Sequence, residues 1–306
     1  MRVTNKQAAE IITRSLYKNQ QILLEAQNRV STQKKINKPS DDPIGMGKIL
    51  DYRKILSSIE QHNRNIAHGK TQLEITETVL DEVDSLLNDA KKWAMQFGSG
   101  DTEIKNEAIV EVKSIYDAIL YLGNTKIGDS FIFAGHVTDT TPFSRNADGI
   151  DGTADDYTAS YNGDDGDIKI FAGNNVEAKI NATGRDIFDV GGTGGGTDVF
   201  GALENLINAL ESNAPGAAFA EVANITSAID QVQVVAAETA VYYGRLEAAE
   251  NYLIRYRSNI EDMLSETENV DMAQAIVELQ LQETAYVISL EVASRIIQPS
   301  LVDFVK

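Results

Sequence analysis

Few residues in this chain have the type and spacing to do chemistry. The three histidines, His62, His68 and His136, could supply a general base or a metal-binding nitrogen, yet none shares metal-ligand spacing with an acidic cluster. Cysteine is absent, which excludes a thiolate metal site, a disulfide framework and a cysteine nucleophile. The one carboxylate-rich loop, with Asp148, Asp151, Asp155 and Asp156, offers the oxygens that calcium takes from a turn, although its spacing is not that of the helix-loop-helix calcium loop. The glycine run Gly191-Gly192-Thr193-Gly194-Gly195-Gly196 has no lysine and no hydroxyl in phosphate-loop register, so it reads as a flexible linker. Asn181-Ala182-Thr183 and Asn224-Ile225-Thr226 match the glycosylation sequon. The expectation is a protein that is no enzyme and holds no cofactor.

The composition that must position these residues excludes more functions. A formal charge of −19 over 306 residues would repel a phosphate backbone, so nucleic acid is not an expected partner. The apolar fraction, 42%, suffices for a core. No run approaches the roughly 18 apolar residues of a membrane span, and no apolar signal region stands at the N-terminus. A cysteine-free chain fits the cytosol, and fits secretion without a cleaved signal equally well.

Heptads dominate the rest. Ala9, Ile12, Leu16, Asn19, Leu23, Ala26 and Val30 alternate in steps of three and four, as do Met272, Ile276, Leu279, Tyr286, Leu290, Ala293 and Ile297 at the other end. Between these arms lie two long seams. Tyr52 to Phe97 predicts a helix whose length, at a rise of about 1.5 Å per residue, is roughly 70 Å, and Ile225 to Met263 predicts a second that could pack along it. Asn37-Lys38-Pro39 ends the first arm, and Ser40-Asp41-Asp42-Pro43 reads as a hinge, with Asp42 as N-cap and Pro43 in the first helical position. Asp271 with Gln274 resembles a capping box for the last arm. Ser130 to Gly135, Tyr157 to Tyr161, Ile168 to Phe171 and Val176 to Ile180 read as strands.

The predicted fold is therefore mainly α with a small β-rich insert. It has an elongated antiparallel core of helical rods, paired N- and C-terminal arms, and the insert at the distal end. The expected boundaries are 1–40 and 268–306 for the arms, 41–138 and 198–267 for the rods, and 139–197 for the insert. The first arm is net basic and the last net acidic, so charge steers them together. Asn19 and Glu283 interrupt the two seams with polar groups that could fix register. The apolar tail with Leu301 and Phe304 adds to an expected assembly surface of Ile12, Leu16, Leu23, Val30, Ile276, Leu279, Leu290 and Ile297. A β insert carrying an enzyme or calcium site is the rival reading from another class.

Five strings resemble the flagellin superfamily, on its hook-filament junction branch. These are Arg29 to Pro43, Phe131-Ile132-Phe133-Ala134-Gly135 with Thr141-Pro142-Phe143, Tyr161 to Gly166, Asn181 to Phe188, and Thr284 to Phe304. The resemblance implies a structural component between hook and filament that seeds flagellin assembly. It implies export through the flagellar channel to an extracellular site, and arms that are disordered until subunits assemble. Implied partners are a neighbouring hook-associated protein on the hook side, flagellin on the filament side, other copies in a ring, and an export chaperone on the C-terminal helix. The filament subunit itself shares the arms and rods and is the alternative that the resemblance leaves.

Overall fold

The structure, a computed structural model, describes residues 2–145 and 157–302, and the side chains of these except residues 2–6, 8 and 296–302. Asp148, Asp151, Asp155 and Asp156 lie outside the described residues, and so do Phe304 and the side chains of Ile297 and Leu301. Among the described residues there are seven α-helices: α1 (Arg2–Thr32), α2 (Pro43–Gly98), α3 (Lys105–Gly123), α4 (Gly184–Phe188), α5 (Val199–Glu211), α6 (Pro215–Glu268) and α7 (Met272–Val302). Antiparallel two-stranded sheets among the described residues pair β1 (Lys126–Ile127) with β2 (Ser130–Phe131), β3 (Phe143–Arg145) with β4 (Ala159–Tyr161), and β5 (Lys169–Gly173) with β6 (Val176–Lys179). No helix among the described residues is long and apolar enough to cross a membrane.

The chain divides into two compact units, residues 1–58 with 255–306, and residues 59–254. In the first, α1 and α7 pack along each other. In the second, the heptad positions of α2 form a continuous buried stripe through Ile66, Leu73, Leu80, Leu87 and Ala94, and Ile225, Ala228, Val232, Leu246 and Leu253 of α6 are buried likewise. Such a stripe keeps a helix longer than its own propensity would hold. Met263, expected on the α6 seam, is exposed.

The second unit also holds an aromatic core. Phe143 meets Phe188 at 4.9 Å between ring centroids, Tyr161 at 5.2 Å and Phe200 at 5.5 Å, in edge and tilted geometries. Two glycines permit this. A Cβ on Gly123 would stand 2.8 Å from the Phe143 ring, and one on Gly184 would stand 2.6 Å from it.

Two elements differ from the sequence expectation. Of Ser130 to Gly135 only the first two residues are strand, because the following carbonyls are claimed elsewhere: Phe133 O accepts from Gly184 N–H and the Tyr161 hydroxyl, and Ala134 O accepts from Asp164 N–H. The glycine run is a laced loop instead of a free linker. The Asp189 carboxylate accepts from Gly194 and Gly196 N–H at 2.7 and 2.6 Å, and Asp198 accepts from Gly191 N–H while capping α5 through Gly201. Glycines are what let several amides converge on one carboxylate.

Candidate assembly interface

The arm pair is the candidate contact surface. Ile12, Leu16, Leu23 and Val30 are half-buried along α1, with Ala26 buried among them. On α7 the inward face is Met272, Ala275, Leu279, Gln282, Tyr286, Ser289 and Ala293, an unbroken three-four alternation. Ile276 and Leu290, expected on this seam, are 43% and 44% exposed and lie one residue off it. Glu283 is exposed too, with Gln282 in its place. Hydrophobicity alone misdirected the reading at Ile276 and Leu290: α7 turns Met272, Leu279 and Tyr286 toward α1 together with small and polar residues, and leaves other large aliphatics outside. Val277, Leu281, Val287, Ile288 and Val292 are more than two-fifths exposed, as are Ile11, Tyr17 and Leu24 of α1. Exposed apolar surface of this extent makes the pair a candidate interaction site.

Polar contacts fix the register of the pair. Asn19 Nδ2 donates to Ser289 Oγ at 2.6 Å, and Ser289 in turn donates to Ala285 O. Arg29 and Glu278 approach at 3.5 Å with both side chains about 40% exposed, a geometry worth little by itself. Past the helix ends the two linkers join. Lys34 and Asn269 form an antiparallel bridge, with Lys35 N–H donating to Glu268 O at 2.7 Å and Val270 N–H to Gln33 O at 3.1 Å. Gln33 takes φ 60°, the left-handed conformation that ends α1.

The segment read as a hinge, Pro39, Ser40, Asp41, Asp42 and Pro43, is a hydrogen-bonded turn in this structure. Asp42 caps α2 by accepting from Ile44 and Gly45 N–H at 3.0 Å. The Asp41 carboxylate accepts from Asn37 and Lys38 N–H at 3.1 Å. Desolvation, the largest single influence, raises its pKa, but these two bonds, together with the charges of Lys38 and Arg29, outweigh it and hold the pKa below the ordinary value. Ile36 is buried against Gly45, where a Cβ would stand 2.4 Å from its Cδ1. Asp271 caps α7 through Ala273 and Gln274 N–H.

The other candidate chemistry does not converge. His62 Nδ1 and Asn65 Nδ2 both lie 3.1 Å from Phe171 O and dock the β5–β6 hairpin on α2; the ring of His136 meets Asp167 O. No group of three or more His, Asp or Glu able to hold a metal occurs among the described residues. Asn181 of the first sequon is buried, with its amide bonded to Ile168 N–H and Gly166 O, so it is closed to a glycan. Asn224 of the second lies exposed on α6.

Residues 3–138 match the family model of the bacterial flagellin N-terminal helical region, which here spans α1, α2, α3 and the first hairpin. Over that region, which is less than half of the chain, and in its paired terminal helices the chain is similar to proteins of the flagellin superfamily. The chain is 23% identical over 274 residues to flagellar hook-associated protein 3 of Escherichia coli K12, covering 84% of each. It resembles the solved structure of a flagellar hook-associated protein from Vibrio parahaemolyticus, with TM-score 0.66, 23% identity, 75% of this chain covered and 100% of that one. It also resembles the flagellar junction protein FlgL of Legionella pneumophila, with TM-score 0.58, 16% identity, 74% of this chain covered and 100% of that one. At these identities the likeness to the two structures speaks for the fold.

Proposed function

We propose that this chain is a structural part of the bacterial flagellum that joins hook to filament and gives flagellin a template on which to assemble. One observation carries the reading furthest: the arms pair through one seam and leave a second set of large aliphatics on α7, Val277, Leu281, Val287, Ile288, Leu290 and Val292, facing outward, where only another subunit or partner can bury them. Burial of that face would offset the ordering cost of arms that are disordered before assembly. Leu281, Ile288 and Leu290 would meet neighbouring copies, together with Ile297, Leu301 and Phe304. A hook-associated protein would occupy the hook side and flagellin the filament side. An export chaperone would cover α7 until the chain leaves through the flagellar channel.

The alternative is the filament subunit. Phe131 to Gly135 with Phe143, the string that favours the junction branch, supports the first reading, and its carbonyls and rings build the aromatic core described above. Stoichiometry separates the two. In purified flagella the junction reading predicts far fewer copies of this chain than of the major filament protein, confined to the hook-filament boundary under immunogold labelling. Labelling along the whole filament would overturn it.

A further inference from the structure

The two linkers that lead to the arms converge on one carboxylate. Glu268, the last residue of α6, has a side chain only 7% exposed, and its Oε1 accepts from Lys34 Nζ and from Arg53 Nη2, each at 2.6 Å. Lys34 belongs to the linker after α1, and Arg53 belongs to α2. The main chain of Glu268 is engaged as well, by Lys35 N–H. A carboxylate with so little water is costly unless it is paired. The two cations, 39% and 50% exposed, could return to water without such a cost.

We infer that Glu268 is a charge latch that fixes the register between the two linkers and anchors it to α2, so that both arms leave from one alignment. Register is what this geometry can enforce. A slip of one residue between the linkers would move Lys34 about 3.3 Å along the strand and turn its side chain to the other face. Glu268 would then be left with Arg53 alone. Only the purpose of the latch, ordered arm assembly, rests on the junction reading; the latch itself is a property of the isolated chain.

The test is hydrogen exchange by mass spectrometry on the full chain, comparing wild type with Glu268→Gln and with Lys34→Met/Arg53→Met. Glu268→Gln leaves two cations that water can reach, and should speed exchange at the Lys35 and Val270 amides about tenfold. Lys34→Met/Arg53→Met leaves a carboxylate buried without its cations, and should speed the same amides about a hundredfold. Residues 59–254 should exchange as in wild type in both variants, which reports that the fold is retained. If the double variant does not fold, Arg53→Met alone should still give a few-fold acceleration at those amides. Unchanged exchange in Glu268→Gln, or a larger effect there than in the double variant, would overturn the latch, since a packing role predicts the second and no role the first. Failure of the junction reading would instead appear in the stoichiometry of flagella and leave these amides untouched.

Discussion

Gly69 and Gly244 both sit inside long helices of the same unit, yet alanine should act on them with opposite sign. A Cβ on Gly69 would stand 2.7 Å from Ile170 Cδ1, 2.8 Å from Ile180 Cγ2 and 3.1 Å from Leu246 Cδ1. Alanine gains about 1 kcal/mol over glycine in a helix interior, and overpacking a tight contact costs about 1–3 kcal/mol. Ile170 Cδ1 is the free end of a side chain and can swing away. Ile180 Cγ2 is fixed by its branched Cβ in a residue only 1% exposed, so the cost falls in the upper half of that range. Gly69→Ala should therefore lose about 1–2 kcal/mol as the β5–β6 hairpin is pushed off α2. At Gly244 nothing lies within 4 Å, and Gly244→Ala should gain about 1 kcal/mol. Urea unfolding followed by circular dichroism reads both as midpoint shifts at constant slope. Equal stabilisation by the two substitutions would refute the close seating of the hairpin on α2.

Four further outcomes follow from the same contacts. Phe143→Ala removes the ring that meets Tyr161, Phe188 and Phe200, and should cost about 3–5 kcal/mol by urea unfolding; a loss under 1 kcal/mol would mean the aromatic core can close over the gap. Burial pushes the Tyr161 hydroxyl up to about 12 from its ordinary value of about 10, so its contribution is complete below about pH 10 and fades as pH rises toward 12; Tyr161→Phe should flatten this alkaline limb, and an unchanged limb would contradict the assignment. Asp164 accepts from His136 and Gly166 N–H, bonds that hold its carboxyl below the usual range, so its stabilisation is present above about pH 4 and lost on acidification through the lower folded value; Asp164→Asn should remove this acid limb. The amides of Gly194 and Gly196 should exchange slowly, as Asp189 requires, whereas exchange at the rate of an unstructured peptide would restore the linker reading.

The helices were legible because burial has to repeat at their period. The inward positions of α1 and the stripe of α2 follow the heptads residue for residue, and Asp42 caps where a carboxylate before Pro43 should. What failed were places where a partner outside the local pattern decides. Ile276 and Leu290 are more apolar than Ala275 and Ser289, yet it is Ala275 and Ser289 that face α1, with Ser289 accepting from Asn19. Phe131 to Gly135 has strand propensity, yet Gly184, Tyr161 and Asp164 claim its carbonyls from up to about fifty residues away. The glycine run has the composition of a linker and is tied by two aspartates that no short-range rule connects to it. Glu268 drew no notice because one acidic residue among many carries no signal until the fold brings Lys34 and Arg53 to it.

Deleting the gene in its native bacterium, then inspecting hooks by electron microscopy and assaying flagellin in the medium, tests the junction role most directly. Complete hooks without filaments, with unpolymerised flagellin shed into the medium, is the predicted result. Leu281→Asp/Ile288→Asp should reproduce it while leaving the urea unfolding of the purified chain unchanged. Normal filaments on the deletion strain, or hooks with no flagellin in cells or medium, would contradict the junction role.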